Sequence, residues 1–368
     1  GNRVSATTSA IVGGGGNNID DSTDSVIAAG HLNSLSGSKY SSVVAGTGNS
    51  IINSTGVVAV AGINNEITGS NSSSINAGTG NKIVNSPEAS ITAGRSNYLS
   101  GSDRSSINVG FLNTLNESND SSINAGTGNY LSGSYYSSIN AGQRHTLNES
   151  DDSSISAGTG NYLSGSDSSF IGAGEENSGT NSHESAIIAG EKNLLSGSRY
   201  SSINVGTGNE ITASNSSAIV AGEENDITAS NSSAIGAGVN NFISGNYSFI
   251  GAGKNNEVFK TGSAIIAGSG NSISGELSVI GGGHLNSGLG DEGSILGGQG
   301  NLIGEDTIYA SILGGKDNKI QSGNWNSIAG GSDNFISGNY NTLLGGKDNK
   351  VFHSDGYSAI TAGLSNEV

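Results

Sequence analysis

The chain has no cysteine and no methionine, one proline (Pro87) and one tryptophan among 368 residues. Without cysteine there are no disulfides, thiolate metal sites or cysteine nucleophiles. Aromatic residues make up 5% and hydrophobic residues 33%. That is thin for the cores of the two or three globular domains a chain this long would ordinarily build. No run of about 18 apolar residues occurs, so no membrane helix is predicted and no direct membrane insertion is expected. Lys and Arg number 14 against 31 Asp and Glu, a net charge of −17. Scattered cations in an acidic chain exclude nucleic acid as an expected partner, because phosphate binding needs clustered Lys and Arg. The first residue is Gly and no signal-peptide pattern follows it, which reads as a processed form or a fragment.

What the chain has is Gly, Ser and Asn in strict period. Poverty in apolar residues would by itself read as disorder, but disorder is aperiodic. Aligned on Ser73-Ser74-Ile75-Asn76-Ala77-Gly78-Thr79-Gly80-Asn81, the sequence contains 23 copies of one repeat, beginning at Ser9. Copies are sixteen residues long up to Ser232 and 15 to 17 thereafter. Numbering the positions 1 to 16 from Ser73, position 6 is Gly in every copy. Position 9 is Asn in all but one, where His145 stands. Position 3 is usually Ile, position 11 usually Ile or Leu, and position 14 is Ser throughout the copies up to Ser232.

Positions 3 and 5, and again 9 and 11, are two apart, which is strand periodicity. Sixteen residues accommodate two short strands and two corners. The sequence therefore predicts an all-β fold, a parallel β-solenoid of about 23 coils. Residues 1–8 form a lead-in or cap, and residues 9–368 a continuous repeat domain. Inward-facing Ile, Ala and Leu are expected to stack on their copies in the next coil, since one coil cannot bury its own Ile. The position 9 asparagines, among them Asn49, Asn81, Asn129, Asn161, Asn209 and Asn241, are expected to form a structural ladder. Asn366, Glu367 and Val368 stand mid-repeat, so either the natural chain continues or ends stack on other chains.

Positions 2 and 4 make one outer face and 10 and 12 the other. The first carries an apolar strip, including Val44, Val60, Val220, Leu296, Leu313 and Leu344, interrupted by Ser and Asn. Such a strip marks association, and this face is the expected chain–chain contact. The second face is more polar and carries Tyr98, Tyr130 and Tyr162 two coils apart, the candidate ligand surface.

The segments Phe242-Ile243-Ser244-Gly245-Asn246-Tyr247-Ser248-Phe249-Ile250-Gly251-Ala252-Gly253 and Ile273-Ser274-Gly275-Glu276-Leu277-Ser278-Val279-Ile280-Gly281-Gly282-Gly283 resemble the YadA-type head repeat of trimeric autotransporter adhesins and related phage fibre β-rolls. The resemblance implies parallel β-rolls, three chains side by side, and adhesion to matrix proteins or host cells. It carries no catalytic residue. This chain departs from it in repeat length, sixteen where about fourteen is usual in that family, and in lacking neck, stalk and anchor motifs. A spacing similarity to bacterial ice-nucleation repeats also exists, but regular Thr rows are missing here.

Chemistry is hard to place on this pattern. Acidic clusters (Asp20, Asp21 and Asp24; Glu149, Asp151 and Asp152; Glu175 and Glu176; Glu223 and Glu224) fall at corners and read as solvated surface, not as glycosidase or calcium groups. His31, His145, His183, His284 and His353 lie on distant coils. Gly-rich runs such as 13–16 lack the Gly-Lys-Ser/Thr ending of a phosphate loop. Sequons at Asn53, Asn71, Asn116, Asn119, Asn148, Asn215, Asn231 and Asn246 are frequent enough to be chance in so Asn- and Ser-rich a chain. No enzyme, cofactor or metal is expected. The expected function is an extracellular, cell-surface or virion-fibre structural and adhesive rod. Its expected partners are itself, as a homotrimer or by end-to-end stacking, and a host protein or glycan. A filament subunit is the alternative, and an ice-binding solenoid the third reading.

Overall fold

The computed structural model describes residues 1–352 and 356–368. It is all-β, without helix, and divides into two compact units, Gly1–Glu184 and Ser185–Val368. Each unit is a parallel β-solenoid, as the repeat predicts.

In the first unit, positions 10–12 of successive copies form one parallel sheet and positions 2–3 a second. Lys82–Val84 pairs with Tyr98–Ser100, Ile83 opposite Leu99, and Ser74–Ile75 pairs with Ser90–Ile91. Like residues thus face like residues one coil on. Within the lead-in, Arg3–Ser5 is a strand paired in register with Asn18–Asp20.

The second unit repeats the plan, from Leu194–Ser196 to Lys350–Val351 in one sheet and from Ala186–Ile187 to Ala359–Ile360 in the other. Its copies of unequal length keep the register by local adjustment. The seventeen-residue copy 293–309 extends its strand to Leu302–Asp306, and a register shift between Ile303 and Asp306 absorbs the extra residue.

The core is narrower than the expected pattern. Positions 3, 9, 11 and also 1 and 14 point inward: Ile75, Ile83, Asn81, Ser73 and Ser86 are all buried. Position 5 does not. Ala77 is half-buried, and Val109 and Val205 at this position are about half exposed (51% and 52%). The strand ends at position 3, and the chain then turns, carrying position 5 onto the corner. The inward period-2 pair is 1 and 3, not 3 and 5. Each coil therefore buries only two large apolar side chains, roughly 1.5–3 kcal/mol apiece. Its other inward groups are polar and must be hydrogen-bonded.

They are. In the first unit Asn81 Nδ2 donates to the carbonyls of Ala77 (3.2 Å) and Gly94 (3.1 Å), while its Oδ1 accepts the Asn97 N–H (3.1 Å). Ser25 Oγ donates to the Thr23 and Ser38 carbonyls and accepts the Ser41 N–H. Ser38 Oγ donates to the Ser36 carbonyl and accepts the Ser54 N–H. The interior is thus an Ile/Leu stack flanked by one amide ladder and two hydroxyl ladders.

Candidate functional site

The six ladder asparagines named from sequence are all buried. Asn49 bonds Ala45, Gly62 and Asn33 Oδ1. Asn129 and Asn161 each reach two carbonyls. Asn209 and Asn241 reach Gly222 and Gly253, and accept the N–H of Asn225 and Asn256. With their amides spent inside the coil, these residues are scaffold and present nothing to a ligand.

His145 takes an asparagine's place. Its backbone N–H donates to Asn129 Oδ1, and its Nδ1 accepts the Asn161 N–H at 3.2 Å. That fixes the proton on Nε2, which is buried and has no partner in hydrogen-bond geometry. The nearby Ala141 and Gly158 carbonyls are the counterparts of those an asparagine reaches. Burial holds this imidazole below its usual pKa. The ring carries half the ladder's work and leaves a donor stranded. His31 and His284 are exposed at corners, and His183 Nδ1 lies 3.4 Å from Asp167. His353 lies outside the described residues.

Tyr98, Tyr130 and Tyr162 form one row on the 10/12 face, 36–40% exposed. Thr114 and Thr146 alternate with them in register. At position 4, Val44 and Val60 in the first unit and Val220, Leu296, Leu313 and Leu344 in the second are exposed. The polar stretch between is itself ordered. Asn108 Nδ2 donates to Asn124 Oδ1, and Asn124 Nδ2 to Asn140 Oδ1, both at 2.8 Å.

Four features escaped the sequence reading. Tyr309, Trp325, Tyr340 and Tyr357 stack along one corner with centroids 5.1–5.2 Å apart; recurrence of aromatics at fifteen to seventeen residues, always as the last residue of a copy, was the available signal. Phe242 packs against Phe259 (5.7 Å), and Phe335 against Phe352 (5.4 Å). The second pair lies in a shallow groove with Asp317, Lys319, Asp333 and Lys350. Arg104 makes a two-pronged ion pair with Asp120 (2.7 and 2.6 Å), which holds that carboxyl below its usual pKa. Finally, five of the eight sequons are products of the fold. Each two residues before a position 1 serine, Asn71, Asn119, Asn215, Asn231 and Asn246 cap an N–H of the preceding coil through Oδ1. The hydroxyls two residues on belong to the position 1 ladder, buried at Ser73, Ser121, Ser217, Ser233 and Ser248.

The acidic spots stay at corners, where Asp151, for instance, accepts the Tyr135 N–H at 2.8 Å. Among the described residues no three His, Asp or Glu converge as a metal site.

No family model matches the chain, and no curated protein matches it. Among solved structures, one described as a "putative acetyltransferase" from Desulfovibrio desulfuricans G20 aligns at 9% identity over 70% of this chain. The alignment covers 64% of that chain's length, just under two thirds, with a TM-score of 0.12. A likeness that slight carries no argument about fold or activity.

Proposed function

We propose that this chain is a non-enzymatic structural and adhesive element of an extracellular surface or fibre. In this reading its copies associate in threes through the 2/4 face and display the 10/12 face and corners to a host protein or glycan. The observation that carries the reading is a charge exclusion. In 23 copies, positions 2 and 4 hold no charged residue at all. At the chain's average of 12% charged, about five would be expected there, and depletion of charge is what sets the core of a protein interface apart from other surface. The outward Val, Ile and Leu of the strip supply the apolar area such a contact needs. The resemblance to trimeric adhesin heads points the same way. Repeated polar surface on one scaffold suits many weak contacts acting together.

The test is the absolute mass of the full chain in solution, by light scattering on a size-exclusion column. The reading expects three times 36.5 kDa, stable on dilution, and loss of the trimer on Val44→Glu with Val220→Glu. A monomer at all concentrations overturns it.

A second reading rests on the middle of the same face. Ser106, Ser122 and Ser138 align in register beside the Asn108–Asn124–Asn140 ladder, a flat uncharged array that supports ice binding. Reshaping of ice crystals by the chain is its test, and unaltered crystals its refutation.

A further inference from the structure

The 10/12 face of the second unit carries the same side-chain arrangement twice, with opposite charge. At position 10, Phe242 is flanked in register by Asp226 and Glu257. Its ring packs on Phe259, at position 12 of the next coil. Also at position 10, Phe335 is flanked in register by Lys319 and Lys350. Its ring packs on Phe352, again at position 12 of the next coil. One motif is an aromatic pair between two carboxylates, the other an aromatic pair between two ammonium groups. None of these four charged groups takes part in an ion pair among those the described residues form.

The geometry points to a second copy of this chain as the occupant of this face, docked antiparallel so that each copy's acidic motif covers the other's basic motif. The register supports it. Position 10 runs Asp226, Phe242, Glu257, Ser272, Ser287, Leu302, Lys319, Phe335, Lys350, each paired in turn with the next. Ser287 is the midpoint. A two-fold axis through it, along the strand direction, reverses the column while keeping position 10 opposite position 10. It then sets Phe242 on Phe335, Glu257 on Lys319 and Asp226 on Lys350, twice over, with only Ser272, Ser287 and Leu302 between. An isologous contact needs this kind of self-complementarity. The two motifs are six coils apart, ~29 Å at ~4.8 Å per coil, so a one-coil slip in docking would break every pair.

Other charges moderate the contact. Glu210 and Glu367 meet at its two ends as like charges, Asp317 and Asp333 line the lysine groove, and Lys254 stands three residues before Glu257 in the chain. The patch is nine coils long and three residues wide, roughly 400 Å² per partner, about half of the ~800 Å² of a standard interface. The contact is therefore reversible and concentration-dependent. It uses the face opposite to the proposed trimer contact and does not depend on that reading.

A charge-swap experiment on the full chain tests it, by sedimentation velocity over a range of concentrations. Wild type is expected to gain mass as concentration rises, a monomer doubling and a trimer, which carries three such faces, growing beyond twice its mass. Lys319→Glu with Lys350→Glu, and separately Asp226→Lys with Glu257→Lys, should each weaken self-association at least about tenfold. An equimolar mixture of the two variants should recover it, because both contacts are then again between opposite charges. Carbodiimide should couple Lys319 to Glu257 between isotope-labelled and unlabelled chains. A wild-type mass independent of concentration overturns the proposal. So does failure of the mixture to recover association while both variants keep the wild-type circular dichroism. If wild type stays at constant mass but binds a polyuronate oligosaccharide that the Lys319/Lys350 variant does not, the lysine groove is a saccharide site and the self-docking is refuted. Disruption by Val220→Glu alone reports on the trimer contact, not on this one.

Discussion

A Cβ on Gly78 would lie 2.1 Å from the carbonyl oxygen of Gly94, the same glycine one coil on, and 2.5 Å from Asn81 Nδ2. That contact explains why position 6 never varies. Gly80, two residues later, also has positive φ (+65°), but its nearest neighbour to an added Cβ is Ser96 Oγ at 3.8 Å. Left-handed backbone alone is tolerated by other residues here, as at Ser96 and Arg144. Left-handed backbone with a carbonyl in the way is not. Gly78→Ala is expected to cost several kcal/mol and unseat neighbouring coils, and Gly80→Ala about 1 kcal/mol. Chemical denaturation of the two variants side by side checks the difference.

Replacing a ladder amide should discriminate between losing bonds and reversing them. Asn129→Ala leaves the Ala125 carbonyl and the His145 N–H without their partner and takes one of two donors from the Gly142 carbonyl, which keeps the Thr127 N–H. At about 1–3 kcal/mol per buried unsatisfied group, the expected loss is several kcal/mol. Asn129→Asp keeps the acceptor but points a buried carboxylate oxygen at two carbonyls, so it should be the worse of the two. Equal destabilisation by Ala and Asp would contradict this account.

His145 makes stability depend on pH. Its folded pKa lies below the ordinary value because burial disfavours the cation. The unfolded chain therefore binds the proton more readily. The full stability is present above about pH 6.5, the ordinary histidine value. It falls as pH drops from there toward the folded pKa. His145→Asn should remove this dependence and also return the stranded donor, for a gain of about 1–3 kcal/mol. Urea midpoints at pH 8 and pH 5 for both proteins give the answer. A variant with the same pH slope as wild type would show that the slope arises elsewhere.

Trp325 is the only tryptophan and is sandwiched between Tyr309 and Tyr340, with ring planes 23° and 2° from parallel. At about 0.5–1.5 kcal/mol per aromatic pair, Trp325→Ser should destabilise the second unit by roughly 1–3 kcal/mol. Its fluorescence should report the melting of these coils specifically. A Trp325→Tyr variant should retain most of the stability, and failure to do so would argue that the indole has another role.

The fold was legible because its rules are written once per coil. Gly78, Asn81, Ile75 and Ile83 each occupy a column whose chemistry has one reading. Two things were not legible. Position 5 alternates with position 3 in the sequence, yet Ala77 lies on the corner; small residues fit a core or a corner equally well, and composition does not separate them. Ser73 and Ser86 were visible as columns without a role, since a serine looks like surface until its backbone partners are in place. The outer faces were harder still. Tyr98, Tyr130 and Tyr162 were visible as a row, but Phe242 and Phe335 lie 93 residues apart. Their likeness emerges only when flanking coils are brought into register.

All three ladders of the interior point the same way. Asn17 Oδ1, Ser9 Oγ and Ser22 Oγ each wait for a backbone N–H that lies sixteen residues later, on Asn33, Ser25 and Ser38. A completed coil therefore offers its acceptors to the residues a ribosome makes next, and each added turn becomes the mould for its successor.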